Sequence, residues 1–491
     1  MGLLECIEDK SARVCVLGLG YVGLPLAVAL ANVGYPVTGL DSNEDRVQAI
    51  QQGRSYIMDV SAEDIARLVG ARRLSATTDY AIVAQMDVVF ICVPTPFDAM
   101  KAPDLGAIVS AATGISKQLH AGQLVILQST TYPGTTEECV LPILEQSGLR
   151  AGRDFNLAFS PERTNPGDKV HRVDNLPKVV GGLTPQCAEL ARLMLVTLSP
   201  AVHVVSSPRA AEMSKLLENI FRSVNIALVN ELALLCERMG IDIWEVIQAA
   251  ATKPFGFMPF YPGPGTGGHC IPVDPYYLSW KAREYDFHTK FIELAAEVNQ
   301  SMPYHVVELV AAGLNRQGRA LSGAKVLILG VSFKKDVDDA RNSPAERIIE
   351  LLLERGAQVS YNDPHVPRFH VQKSVFHQEE MQLASRPLTE QALAESDVVV
   401  IVAAHSAYDF AWIAQHCSLL VDTVNATQGL PSTRADIVRL GAPPCLALSR
   451  LVSSTRRGRQ DEVAKTRSPR LGIKPDAHSD VRESRQTLGP G

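Results

Sequence analysis

Apolar residues follow two rhythms along the chain, and these alternate. Short, nearly unbroken apolar runs come first: RVCVLG (13–18), YPVTGLD (35–41), VVFICVPTP (88–96) and QLVILQSTT (123–131), with helical stretches between them. Runs of that length between helices predict a parallel sheet covered on both faces. From about Ala210 the rhythm changes. AAEMSKLLENIFRSVNIALVNELALLCERMG contains no proline, and its one glycine comes at the end, which predicts one long helix followed by a second at IDIWEVIQAAA. A helix that long and apolar buries against another subunit or bridges domains. After Pro303 the alternating pattern restarts with AKVLILG (324–330), SPAERIIELLLERGAQVSYNDP, SDVVVIVAAH (396–405) and SLLVDTVN (418–425). The expected fold class is α/β, with two doubly wound domains around a helical middle. The expected divisions are a first domain at 1–205, a central helical dimerisation domain at 206–302 and a second α/β domain at 303–452.

Composition adds limits to this picture. A chain of 491 residues exceeds one hydrophobic core, and 46% hydrophobic with 20% charged residues is ordinary for a globular protein. From Ser453 the core-forming residues disappear. Nine Lys/Arg against five Asp/Glu, without aromatics, predict a disordered tail over 453–491. The net charge of −6 gives no general affinity for nucleic acid, so any polyanion site must be local. No apolar run is expected to approach the roughly 18 residues of a membrane span. The N-terminus MGLLECIEDK is acidic and lacks a signal-peptide core. The nine cysteines, at 6, 15, 92, 139, 187, 236, 270, 417 and 445, form no CxxC. That spacing argues against a disulfide framework and a compact zinc site, and points to a reducing, cytoplasmic location with no metal.

Gly18-Leu19-Gly20-Tyr21-Val22-Gly23 is a GxGxxG that follows a strand and opens the helical run LPLAVALANVG. Gly18 allows the tight turn, Gly20 lets a pyrophosphate approach the backbone, and Gly23 lets helix and strand pack closely. Asp41 ends the next strand, where a carboxylate holds ribose hydroxyls and repels a 2′-phosphate. The first domain therefore reads as Rossmann-like and NAD-binding. The second lacks a glycine triplet. Its loop Lys334–Arg341 lies where an open α/β sheet takes a ligand, and Lys334 and Arg341 are candidates for phosphates or sugar hydroxyls.

A second constellation carries chemistry. Lys215 and Asn219, four apart on the long helix, share a face and can hold the oxygen of a hydroxyl being oxidised. PGPGTGGHCIPVDPYYL (262–278) sets Cys270 among glycines and prolines, with Asp274 four residues on at a short helix expected near Pro272. A thiol at a helix N-terminus is activated. SPERTNPG (160–167) places Glu162 and Arg163 after a strand, and STT (129–131) puts hydroxyls at another strand's end. An NAD site alone serves alcohol oxidation. A reactive cysteine adds aldehyde-to-acid oxidation through a thioester.

The stretches GLGYVGLPLA, VPTP, QSTTYPGTT, SPER, EMSKLLEN, GPGTGGHCIPVDP and SFKKDVDDARNSP, in this order, resemble the UDP-sugar 6-dehydrogenase family over roughly residues 10–450. KPFGFMPFYPGPGTGGHCIPVDPYYLSWKAREYDF is most similar to its UDP-N-acetylglucosamine branch. The resemblance implies a UDP-sugar substrate, with UDP-N-acetylmannosamine, UDP-N-acetylgalactosamine and UDP-glucose as alternatives. It implies that Cys270 is the nucleophile and that Lys215, Asn219 and Asp274 bind and polarise the C6 oxygen and the hydrolytic water. Thr130 and Glu162 would order or activate that water. Thr95, Ser129 and Arg341 would join Gly18, Gly20, Gly23 and Asp41 at NAD, while Lys334, Arg163 and Gly267 would bind substrate. It also implies a homodimer through the central helix. The family usually reads DTRN or DGRR where this chain reads Asp422-Thr423-Val424-Asn425, and loss of that arginine puts substrate affinity in question. A non-catalytic nucleotide-sugar-binding protein is the alternative of another class.

Overall fold

The computed structural model describes residues 2–98, 101–164, 173–269, 271–372, 380–431 and 433–443; Cys270 and the tail from 453 lie outside them. Eight strands form the first sheet: β1 (Val14–Leu17), β2 (Val37–Leu40), β3 (Leu74–Thr77), β4 (Val88–Ile91), β5 (Leu124–Leu127), β6 (Asn156–Phe159), β7 (Lys178–Gly182) and β8 (Val202–Val205). Their order is β3-β2-β1-β4-β5-β6-β7-β8. All neighbours are parallel except β6 and β7, which run antiparallel. The unbroken apolar runs are explained by double coverage: Val14 and Val16 join one core, while Cys15 and Leu17 join the core on the opposite face.

Helix α1 (Gly23–Val33) follows β1, and α2 (Pro208–Met239) follows β8. The Ser207 hydroxyl accepts from the N–H of Ala210 to cap α2, and Gly240 ends it at φ 73°. Then come α3 (Ile243–Ala251), α4 (Asp274–Ala282) and α5 (Lys290–Arg316). The second sheet joins β9 (Lys325–Leu329) and β10 (Gln358–Asn362) to three later strands, with α6 (Pro344–Glu354) after β9. The hairpin of β11 (Arg368–Val371) and β12 (Met381–Ala384) stands apart. With β13 (Val398–Ile401), β14 (Leu419–Asp422) and β15 (Asp436–Arg439), the sheet order is β10-β9-β13-β14-β15, all parallel.

Two expectations change. The boundary at Pro303 falls inside α5, which runs through the proline to Arg316. Pro303 lacks an N–H and frees the carbonyl of Asn299. That carbonyl faces Gly265, where an added Cβ would stand 3.3 Å away. Residues of α2, α3 and α5, including Val229, Trp244 and Val306, share one core with β9 and α6. The C-terminal half of α2, with α3 and α5, thus packs with the second α/β unit, while the start of α2 lies against the first sheet. Helix α2 is also long and apolar enough, by length and composition, to cross a membrane, contrary to the expectation that no segment approaches that length. Its inward face is polar and buried here: Glu212, Lys215, Asn219 and Asn230 all lie within the protein.

Candidate active site

The turn after β1 is shaped for close approach. Gly18 has φ +91°, and a Cβ on it would stand 2.6 Å from the carbonyl oxygen of Cys92. A Cβ on Gly23 would meet the oxygen of Gly18 at 1.8 Å, whereas one on Gly20 would meet nothing within 4 Å. Gly20 therefore leaves open backbone at the head of α1, the surface a pyrophosphate needs. Asp41 fixes the turn from the next strand, accepting from the N–H of Leu19 at 2.7 Å and of Asn43 at 2.9 Å. Arg46 reaches it at 3.2 Å. At the same edge Ser129 Oγ donates to the carbonyl of Val93 (2.8 Å), and the buried Thr95 carbonyl accepts the Tyr277 hydroxyl. Beside Thr130, the hydroxyl of Thr131 is buried with no protein partner. An open backbone, a seated carboxylate and an orphaned hydroxyl fit a bound dinucleotide.

Lys215, Asn219 and Asp274 come together as the helical spacing requires. All three are buried, and Asn219 Nδ2 donates to Asp274 Oδ2 at 2.5 Å. Burial pushes the Asp274 carboxyl up to about 7, against the opposing pull of the Lys215 charge and the Asn219 hydrogen bond. Asp274 is the first residue of α4. That helix is tied to the first sheet through Tyr277 and through Trp280, whose ring lies 5.2 Å from Tyr132. The short helix expected near Pro272 thus begins two residues later. A carboxyl poised near neutrality beside an ammonium and an amide is suited to proton transfer at an alcohol oxygen.

Glu162 stands differently. Its carboxylate accepts from the N–H of Arg163 and Thr164 (2.8 Å each), from Gln128 Nε2 (2.8 Å), and from Lys178 Nζ at 3.1 and 3.4 Å. Burial works against the charge, but Lys178 and the two N–H groups outweigh it and hold the carboxyl below its usual range. These donors hold Glu162 as a carboxylate, in surroundings opposite in effect to those of Asp274. Arg163 pairs with Glu218 at 2.7 Å and donates to the carbonyl of Pro177 at 2.8 Å, so its guanidinium is engaged within the protein.

Sequence reasoning missed Lys178, Gln128 and Glu212. Glu212, fully buried on α2, accepts from the N–H groups of Gly134 (2.5 Å) and Thr136 (2.9 Å) and from the Thr136 hydroxyl (2.6 Å). It ties the hydroxyl-bearing loop to the helix of Lys215. A lysine opening the apolar run KVVGG and an acid opening EMSKLLEN were the available signals.

The second α/β unit approaches from the other side. A Cβ on Gly267 would lie 2.8 Å from Phe333 Cβ and 2.9 Å from the carbonyl of Asn342. The Gly268 N–H donates to the carbonyl of Arg341 (3.0 Å), and Asn342 Nδ2 to that of Gly268 (3.1 Å). The Arg341 guanidinium binds Asp339 (2.6 Å) and lies over the Tyr21 ring of the dinucleotide turn at 4.8 Å. Lys334 sits in the same loop, its carbonyl accepting from Ser332 Oγ at 2.8 Å. A cavity of about 520 Å³ opens here, lined by Ser223, Thr266, Tyr276, Asn299 and Arg347 among others. Val424, partly buried, packs against the core that contains Ile413 and Leu420, while Asp422 accepts from the N–H groups of Val424 and Ala426 (3.1 Å each). Asp336, His365 and His405 offer ligand atoms within 4.8 Å of one another. Both nitrogens of His405 are already bonded, Nδ1 to the Asp336 N–H (3.0 Å) and Nε2 to Asp363 (3.1 Å), so the cluster does not fit a metal.

Three family models match in chain order. They describe the UDP-glucose/GDP-mannose dehydrogenase family: its NAD binding domain over residues 12–198, its central domain over 209–301 and its UDP binding domain over 327–429. The chain is 43% identical to a UDP-N-acetyl-D-glucosamine 6-dehydrogenase of Pseudomonas aeruginosa over 359 residues, 73% of this chain and 84% of that protein. With its counterpart in Salmonella typhi it shares 35% over 401 residues, covering 81% and 90%. The solved UDP-D-ManNAc dehydrogenase of Pyrococcus horikoshii superposes with a TM-score of 0.78 at 30% identity, covering 87% of this chain and 99% of that one. A dinucleotide turn, a buried Lys–Asn–Asp cluster and matches spanning both α/β units lead to one assignment: the chain belongs to the UDP-glucose/GDP-mannose dehydrogenase family and is an NAD-dependent UDP-sugar dehydrogenase.

Proposed function

We propose that the protein oxidises the C6 hydroxyl of UDP-N-acetylglucosamine to the uronic acid in two two-electron steps, with Cys270 carrying the sugar between them. The observation behind this reading is the buried Lys215–Asn219–Asp274 cluster, whose carboxyl lies four residues beyond Cys270 in the chain. Two of the relatives act on that sugar by name and support the choice. Bound NAD supplies a hydride acceptor for each two-electron step.

Lys215 and Asn219 hold the C6 oxygen, and ionised Asp274 takes its proton as the carbonyl forms. The Cys270 sulfur then adds to the aldehyde carbon, forming a C–S bond as the carbonyl opens to a thiohemiacetal. Loss of the hydroxyl proton and of a second hydride, which NAD would accept, leaves a thioester. Water attacks it, Lys215 and Asn219 stabilise the oxyanion, the C–S bond breaks, and thiol and carboxylate are released. Thr130 orders that water, and Glu162 contributes a fixed negative charge. Lys334 offers a cation to the diphosphate, with the Gly267 backbone beside it. Limiting sugar with excess NAD gives two NADH per sugar on this reading. One NADH overturns the thioester route, and turnover of UDP-N-acetylmannosamine in preference moves the substrate while keeping the chemistry.

The active protein is a homodimer through α2. Its outward face carries Met213, Leu217, Phe221, Leu228, Leu232 and Leu235, each at least 38% exposed, at spacings of three, four and seven along the whole helix. A second copy of the same stripe covers it without a new partner. The seven described cysteines are free thiols, in keeping with a reducing cytoplasmic location.

A further inference from the structure

Because β6 and β7 run antiparallel, the end of β6 and the start of β7 meet at one edge of the sheet, the edge where the dinucleotide turn lies. Lys178, first residue of β7, is 1% exposed there, and its ammonium faces Glu162 at 3.1 Å. A buried lysine with a single carboxylate partner is costly to place, and a fold free to choose would fill the position with an apolar residue. The surrounding contacts form a circuit. Glu162 fixes the turn 162–164 through two N–H groups, and the Arg163 side chain closes back on Pro177, the residue before Lys178. The same guanidinium pairs with Glu218, the residue before Asn219 on α2. We infer that Lys178 is a positioning residue for the oxidation: it holds Glu162 as a carboxylate and, through the Arg163–Glu218 bridge, sets Asn219 against Asp274. This inference rests on the function proposed above.

Among the described residues, the groups facing Glu162 are few. Lys178 comes from β7, neutral Gln128 from the end of β5, and the Cys92 thiol from the end of β4, where burial pushes it up and keeps it neutral. Arg163 is turned to Glu218. Among the described residues Lys178 is thus the cation that keeps the carboxylate charged, and its removal is expected to make the pocket favour a proton on Glu162.

The test is K178M, which keeps length and apolar stem and removes the charge. Its expected kcat falls about tenfold or more, while NADH binding by fluorescence stays within about twofold, because the dinucleotide turn is untouched. A second readout needs no turnover. In the wild type Glu162 contributes stability above the ordinary carboxylate range, lost as pH falls; in K178M the sign reverses. The Tm gap between the two therefore narrows from pH 8 to pH 5, and the pH dependence vanishes in the K178M/E162Q double variant. A gap constant with pH overturns the inference whatever sugar is oxidised, as does K178M with wild-type kcat. An inactive wild type with a narrowing gap instead counts against the proposed substrate alone.

Discussion

At the scale of single residues, environment divides two carboxylates that look alike in sequence. Asp274 and Glu162 were both expected near the reacting water. One is buried beside a lysine and an amide with its carboxyl raised to about 7, and the other is saturated with donors and lowered. The sequence cannot distinguish them, because what decides each, complete burial at Asp274 and the Lys178 ammonium with two N–H groups at Glu162, is set by the fold. Raising a folded carboxyl from 3.8 to about 7 opposes folding above that window. The cost is absent below about pH 4, grows as pH rises and is complete above about 7, on the order of a few kcal/mol. D274N removes it. The variant should therefore melt higher than the wild type at pH 8, with the advantage shrinking toward pH 4, while kcat falls by about 100-fold or more. A melting difference independent of pH would contradict the buried, proton-accepting Asp274. Val424 makes a related point. Its departure from the family pattern was visible, but its partly buried place against the core just after β14 was not, because one residue outside a strand carries no periodicity.

At the scale of elements, α2 was the most legible part of the chain. Its ends fall at Pro208 and Met239, close to the proline-free run, because Ser207 and Gly240 supply the two caps. Helix α5 was not foreseen; it runs through Pro303, where the division was placed, and Gly265 packs against the carbonyl that the proline frees. β7 and β8 escaped because KVVGG and VHVV are short and begin or break with polar residues. One element, α2, carries three features: the buried Lys215 and Asn219 inward, the Glu212 tether near its start, and an apolar stripe outward. The stripe is open to test by charge. L228E places a carboxylate at mid-helix on a side chain that is 52% exposed, so the monomer fold should survive. In a symmetric dimer the change brings like charges and buried acids together at one contact. Sedimentation velocity at micromolar concentration should show the wild type at twice the chain mass and L228E at the chain mass. A monomeric wild type, or an L228E dimer of equal affinity, would remove the stripe from the interface.

At the scale of the whole molecule, the order of seven motifs was enough to name the family, but not to say which motifs touch. The loop around residue 270 hangs between the two α/β units. On one side α4 is fastened to the first sheet through Tyr277 and Thr95; on the other, Gly267 and Gly268 are zipped to the 333–342 segment. Gly267 faces a neighbour with no room for a side chain. Its φ is not in the left-handed region, so alanine is conformationally allowed and only contact opposes it. Phe333 Cβ at 2.8 Å and the Asn342 carbonyl at 2.9 Å belong to, or join, the backbone and cannot swing aside. Overpacking of that kind costs about 1–3 kcal/mol and moves the loop. G267A should therefore lower kcat/KM for the UDP-sugar by about tenfold or more while leaving NADH affinity within about twofold. G263A is the matched control in the same loop, since its Cβ meets nothing within 4 Å, and it should behave as wild type. Equal losses in both variants would mean that the loop needs glycine for flexibility; a loss confined to G267A means that the second α/β unit sets the position of the reactive loop.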